Sequence, residues 1–147
     1  MPPVRTPPVT AEPALPPFEL GYARTELRRK LVDAVLRGDK IATAGLASDF
    51  QPYTDDPLPK PGDRWSLLGY DDEPIGVVET LAVSVVPAKD VDLQFARDEG
   101  EGFESVPAWR AAHERFWSEY DITNDTLIVC EYFKVVERLR MSLAGAL

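Results

Sequence analysis

The sequence predicts an α+β domain with a small mixed sheet or barrel at its centre. Three observations predict it. A helical apolar repeat is followed by extended segments, then by further helical stretches, then by one returning strand. The run at 126–139, TLIVCEYFKVVERL, is apolar on both faces for most of its length, as a central or barrel-forming strand is. The chain has 147 residues, a length that fits one domain with a real core.

Half of the 14 prolines lie in the first 17 residues, where they deny backbone donors and helix formation. We therefore expect a disordered proline-rich tail over 1–19, the domain over 20–140, and a short C-terminal end over 141–147. The first helix spans 22–37. Leu27, Leu31, Ala34 and Val35 recur on one face, Thr25 can cap the start, and Gly38 ends it. Residues 41–47 read as extended. A proline-rich loop, 52–61, closes on Pro61-Gly62-Asp63 and leads into a strand over 64–70. Asp71-Asp72-Glu73 turns the chain into a long valine-rich strand over 74–86. Helical pieces follow at 90–97 and at 105–120. Ser105 caps the second, and Trp109, Ala112, His113, Phe116 and Tyr120 share one of its faces.

Charge narrows the function classes. The net charge is −9 and the pI is about 4.6, which disfavours sequence-independent binding to long nucleic acid. Residues 1–40 nevertheless hold 7 basic and 5 acidic side chains, so a polyanion would approach Arg24, Arg28, Arg29, Lys30, Arg37 and Lys40. Cys130 is the only cysteine and His113 the only histidine, which excludes an intrachain disulfide and argues against a zinc site. No metal and no cofactor is expected. No apolar run approaches a membrane span and the N-terminus lacks a signal-peptide core, so no membrane partner and a cytoplasmic location are expected.

Several residues stand out as chemistry. In GDKIATAGL, residues 38–46, Lys40 and Thr43 sit where a helix hands over to a strand. Their parities are opposite, so they meet only if Lys40 still lies in the connection and the strand begins near Thr43. Gly45 shares the face of Thr43 and leaves room there. Strand parity puts Glu79 in a row with Val77, Leu81 and Val83, and Glu131 in a row with Val129, Phe133 and Val135. A buried carboxylate must be paired, hydrogen-bonded or protonated, so each either faces solvent at an edge or serves a pocket. In FARDEGEGF, Glu99 and Glu101 flank Gly100, whose freedom lets a carboxylate approach another element. His113 is either a hydrogen-bonded core residue or a site residue, and Trp109, Trp117 and Trp65 are each either core or a stacking platform.

Taken together, these motifs resemble the ASCH family, a branch of the PUA-like β-barrel superfamily. The resemblance covers about residues 20–138. It rests on Gly38-x-Lys40-x-x-Thr43, Pro61-Gly62-Asp63, Phe95-Ala96-x-x-Glu99-Gly100-Glu101-Gly102, Trp109-x-x-x-His113-x-x-Phe116-Trp117 and Glu131-x-Phe133. It implies a small PUA-like barrel flanked by helices. It also implies a cleft for RNA or for a small nucleoside-like substrate. Some members resemble amidohydrolases that remove acyl groups from the exocyclic amine of cytidine with a Lys-Thr-Glu trio, here Lys40, Thr43 and Glu99. Gly45, Glu79, Glu101, Trp109 and His113 are the expected substrate contacts. Many members carry an arginine where this chain has Gly45. The alternatives are a non-catalytic module for RNA or a modified base, and a ribonuclease. Within the trio, Lys40 is expected to be the base and Glu99 to serve the leaving amine; the competing assignment makes Glu99 the base beside a cationic Lys40.

Overall fold

Helix α1, Glu26–Arg37, starts where the Thr25 hydroxyl accepts the N–H of Arg28, and ends at Gly38 in the left-handed region, φ 86°. The structure, a computed structural model, describes residues 15–139. Its elements run β1 (Pro17–Phe18), α1, β2 (Ala42–Leu46), β3 (Arg64–Leu68), β4 (Pro74–Pro87), α2 (Leu93–Asp98), α3 (Val106–Phe116) and β5 (Leu127–Arg138). No described helix is long and apolar enough to cross a membrane.

The five strands form one curled half-barrel sheet in the order β1-β3-β4-β5-β2, so the mixed α+β architecture is as expected. β1 runs parallel to β3, and every other neighbouring pair is antiparallel. β5 is central, which explains why its sequence is apolar on both faces: Ile128, Val129, Cys130 and Phe133 are all buried. The core divides across the curl. One cluster centres on Phe95, Trp109, Trp117 and Ile128, where α2 and α3 pack, and the other on Phe18, Val35, Val78 and Phe133, where α1 packs.

Four sequence expectations need correction. The tail does not reach residue 19: Pro17 and Phe18 pair with Ser66 and Leu67, and Phe18 and Leu20 are core residues. Residues 1–14 and 140–147, which include the expected C-terminal end, lie outside the described residues. Helix α1 begins later than 22, and its buried face takes Arg28 while Leu27 stays exposed. Arg28 is buried because its guanidinium donates to the carbonyls of Leu20, Gly21 and Gly69 and to Asp72 Oδ1, which ties β1's exit and the β3–β4 turn to the helix. Helix α3 stops at Phe116, and its buried line is Trp109, His113 and Trp117, with Phe116 and Tyr120 exposed. In β4 the buried row is Gly76, Val78 and Thr80, the opposite parity to the one expected for Glu79.

Candidate active site

Lys40 sits in the connection before β2, and three backbone ties fix it there. Its N–H and that of Asp39 both donate to Ala34 O, and the next residue, Ile41, donates to Asp98 O at the end of α2. Its side chain therefore turns inward and is 2% exposed. Lys40 Nζ donates to Ala42 O at 2.8 Å, to Glu99 O at 3.2 Å and to Glu101 Oε2 at 3.2 Å, and Glu99 Oε1 lies 3.8 Å away. Three acceptors match the three N–H groups of an ammonium. The side chain is held as a cation between two carboxylates, which favours the second of the two roles weighed for it.

Glu99 is 1% exposed and comes from the α2 C-terminus. Its Oε2 accepts the indole N–H of Trp109 in a short hydrogen bond and lies 3.2 Å from His113 Nε2. The other ring nitrogen, Nδ1, is 2.8 Å from Trp109 O. A carbonyl oxygen can only accept, so Nδ1 carries a proton. Between Nε2 and Oε2 there is then one more proton, held either by an imidazolium or by a carboxylic acid. In both cases the Glu99–His113 pair is neutral in sum, and Lys40 balances Glu101. Three buried ionisable groups, Lys40, Glu99 and His113, are tolerable on those terms because the more exposed Glu101 supplies the fourth charge. The Trp109 and His113 rings stack at 4.1 Å, which fixes both against Glu99.

Lys40, Thr43, Glu99, Glu101 and His113 all line one cleft of about 250 Å³, together with Ala44, Phe103 and Phe116. The structure thus brings together the three residues of the expected trio and two of the expected contacts. Thr43 also lines a second cleft of about 290 Å³, with Gly45, Phe50, Trp65 and Glu131. Glu19 and Ala44 are shared as well, so the two clefts adjoin along β2.

The remaining expected contacts fall elsewhere. Gly45 belongs to the second cleft, where the Phe50 ring lies 3.6 Å from the place a Cβ would take. Trp109 is 1% exposed and lines neither cleft; it positions Glu99. Glu79 is not a contact at all, because it pairs with Arg64 at 3.0 Å across β3 and β4 on the other face.

Glu131 is the carboxylate that parity analysis left undecided, and it is buried. Thr80 Oγ1 donates to its Oε2 at 2.7 Å and in turn accepts Trp65 Nε1–H at 2.8 Å. Burial pushes its carboxyl above the usual carboxylate range, and the Thr80 hydrogen bond opposes that shift. Thr43 and Glu131 are cross-strand partners and so share a face.

A family model described as the ASCH domain matches residues 20–137. This chain belongs to the ASCH domain family. Among solved structures it is similar to an ASCH domain from Lactobacillus crispatus JV V101, with 31% identity, a TM-score of 0.67, and coverage of 74% of this chain and 72% of that one. It is also similar to a protein from Enterococcus faecalis V583, with 26% identity, a TM-score of 0.72, and coverage of 86% and 77%. Comparison with the curated proteins returns no match.

Sequence reasoning weighed Trp65 as a stacking platform but missed the phenylalanines of this ASCH domain's clefts. Phe50 and Phe103 lie in loops with no periodicity to mark them, and Phe116 reads as a core position on its helix face. Trp65, at the second position of β3, carried a signal in its alternation with Leu67, but nothing local said which face held the cleft.

Proposed function

We propose that this ASCH domain is an amidohydrolase that removes an acyl group from the exocyclic amine of a cytidine-type nucleoside or a related small substrate. The observation that carries the proposal is the convergence of Lys40, Thr43 and Glu99 on one cleft. With the shared proton on His113, Glu99 is a carboxylate. Thr43 Oγ attacks the amide carbonyl, and its proton passes to Glu99, whose Oε1 makes no hydrogen bond among the described residues. The charge that develops on the carbonyl oxygen is stabilised by the Lys40 ammonium, which releases Glu101 to reach it. As the C–N bond breaks, the proton on Glu99 moves to the leaving amine. Water then gives a proton to Glu99 as its oxygen adds to the threonine ester; the ester C–O bond breaks, Thr43 Oγ takes that proton back from Glu99, and the carboxylic acid product leaves. His113 and Trp109 hold Glu99 in place through these transfers.

The charge distribution supports a small neutral substrate over RNA. Of the basic residues between 24 and 40, Arg28 and Lys40 are buried and fully engaged, Arg37 pairs with Asp39, and Arg29 lies 4.2 Å over the Tyr70 ring. Of the six basic residues from Arg24 to Lys40, only Lys40 lines the cleft.

Incubating the protein with N4-acetylcytidine should release cytidine and acetate in equal amounts. Thr43→Ala should lower the rate at least about 100-fold, the scale of a lost nucleophile or proton-transfer partner, with the melting temperature unchanged. Full activity in that variant, or no cytidine release by the wild type, would overturn the assignment. Cleavage of single-stranded RNA in a parallel incubation would move the reaction to the ribonuclease class.

A further inference from the structure

The second cleft lies in the gap between the two edge strands of the half-barrel. Pro17 and Phe18 of β1 and the following Glu19 line it on one side, and Thr43, Ala44 and Gly45 of β2 on the other. Phe133 N–H donates to Ile41 O at 3.1 Å, so odd-numbered residues of β2 turn their backbone groups toward β5. Ala42 and Ala44 turn theirs to the open edge. Ala42 O takes Lys40, whereas the N–H and C=O of Ala44 have no partner among the described residues.

Glu131 closes the gap from behind. It is 8% exposed, and only its Oε2 is engaged, by Thr80; Oε1 has no partner among the described residues. Trp65 Nε1–H is committed to Thr80, so Trp65 offers the cleft its ring and no donor. Phe50 supplies a second aromatic wall, and the absence of a side chain at Gly45 gives its ring somewhere to rest. A slot of this kind accepts something flat, since aromatic rings favour stacked or edge contacts with another π system. It also requires that the occupant bring a hydrogen-bond donor, because an accepting carboxylate oxygen buried without one is costly.

The geometry points to this slot as the binding site for a flat heteroaromatic ring whose exocyclic amino N–H donates to Glu131 Oε1, between Phe50 and Trp65. This deepens the proposed function and rests on it only for where the acyl group goes. Thr43 and Glu131 face one another across β2 and β5 as a hydrogen-bonded pair, for which Cα atoms lie about 5.5 Å apart. An acylated amine keeps one N–H for Glu131 and carries its carbonyl on the neighbouring atom. The carbonyl is thereby directed to Thr43, at the junction with the cleft of Lys40 and Glu99.

Calorimetric titration with cytidine tests the slot without any turnover. Wild-type protein should bind cytidine, and Glu131→Gln should weaken binding at least ten-fold. That variant should fold, since it removes a carboxylate whose ionised form burial disfavours and keeps a partner for Thr80. N4,N4-dimethylcytidine, which has no amino N–H, should bind at least ten-fold more weakly than cytidine. Phe50→Ala, at a half-exposed position, should weaken cytidine binding several-fold. No binding of cytidine, equal binding by wild type and Glu131→Gln, or equal binding of the two nucleosides would overturn the inference. A cytidine tetranucleotide separates the two sources of such a ring: tighter Glu131-dependent binding than that of cytidine assigns the base to RNA, and equal or weaker binding assigns it to the free nucleoside. Glu131-dependent cytidine binding without deacylation would sink the hydrolase reading and leave the slot standing. Deacylation that is indifferent to Glu131→Gln would do the reverse.

Discussion

Gly100 shows how tightly single residues set this site. Its φ is +68°, and a Cβ there would lie 2.3 Å from Asp39 O and 2.6 Å from Lys40 Cα. The loop that carries Glu99 and Glu101 can rest on the Lys40 backbone only because that atom is missing. Gly100→Ala should therefore separate the loop from Lys40 and lower stability by about 2 kcal/mol or more, given the strain of a non-glycine residue there and the clash with backbone. Urea unfolding checks this, and an unchanged midpoint would show that the loop has slack. Gly100 added only that a carboxylate here could approach another element, and the pairing of Lys40 with this loop was legible through the family resemblance. The partners of Glu99 were not. Nothing in WxxxH says that the indole donates to, and the imidazole shares a proton with, a carboxylate in the preceding loop. The misreading of Glu79 has the same origin, since a strand's parity gives two rows and only tertiary packing says which is inside.

Elements were legible in proportion to their length. The long strands β4 and β5 and the helices α1 and α3 announce themselves by period and cap, with boundaries shifted by a few residues. β1 has two residues and cannot express a period of two, so a proline-rich context hid it. The register shift in β4 beside Thr80 was equally silent, though the buried row of the strand ends there. The central position of β5 has a chemical consequence. Cys130 lies buried in it between β4 and β2, and burial first, then the carboxylates of Glu99 and Asp92, push its thiol up to about 12. At pH 8 the folded protein should not react with a thiol-specific disulfide reagent, because thiolate is the reacting species and the strand covers it. Unfolding should expose one thiol per chain. Rapid labelling under native conditions would mean that β2 or β4 detaches from β5 on its own.

At the scale of the whole molecule, the domain begins before the boundary that composition predicted. Removing residues 15–20 along with all that precedes them deletes Phe18 and Leu20, both buried, and the carbonyl of Leu20 that Arg28 uses. Burial of two such side chains contributes about 4 kcal/mol, so the melting temperature should fall by roughly 10 °C or more. A shift of only a degree or two would show that β1 is not part of the cooperative unit. Composition failed here because prolines at positions 16 and 17 argue locally against order. The hydrophobic pair behind them finds its partners only in tertiary structure, on β3 and in the cluster with α1 and Phe133.

The strand order also has a consequence for how the molecule is made. β2, which bears Thr43, pairs with β5 alone, and β5 is the last element of the sheet to leave the ribosome. Until about residue 138 has emerged, the strand with the nucleophile has no neighbour, and α1 and α2 have no common surface on which to bring Lys40 against Glu99. Nascent chains stalled before β5 should be protease-sensitive throughout, without a protected N-terminal half. The cleft would thus appear in one step at the end of synthesis, so an incomplete chain carries every residue of the trio and none of its geometry.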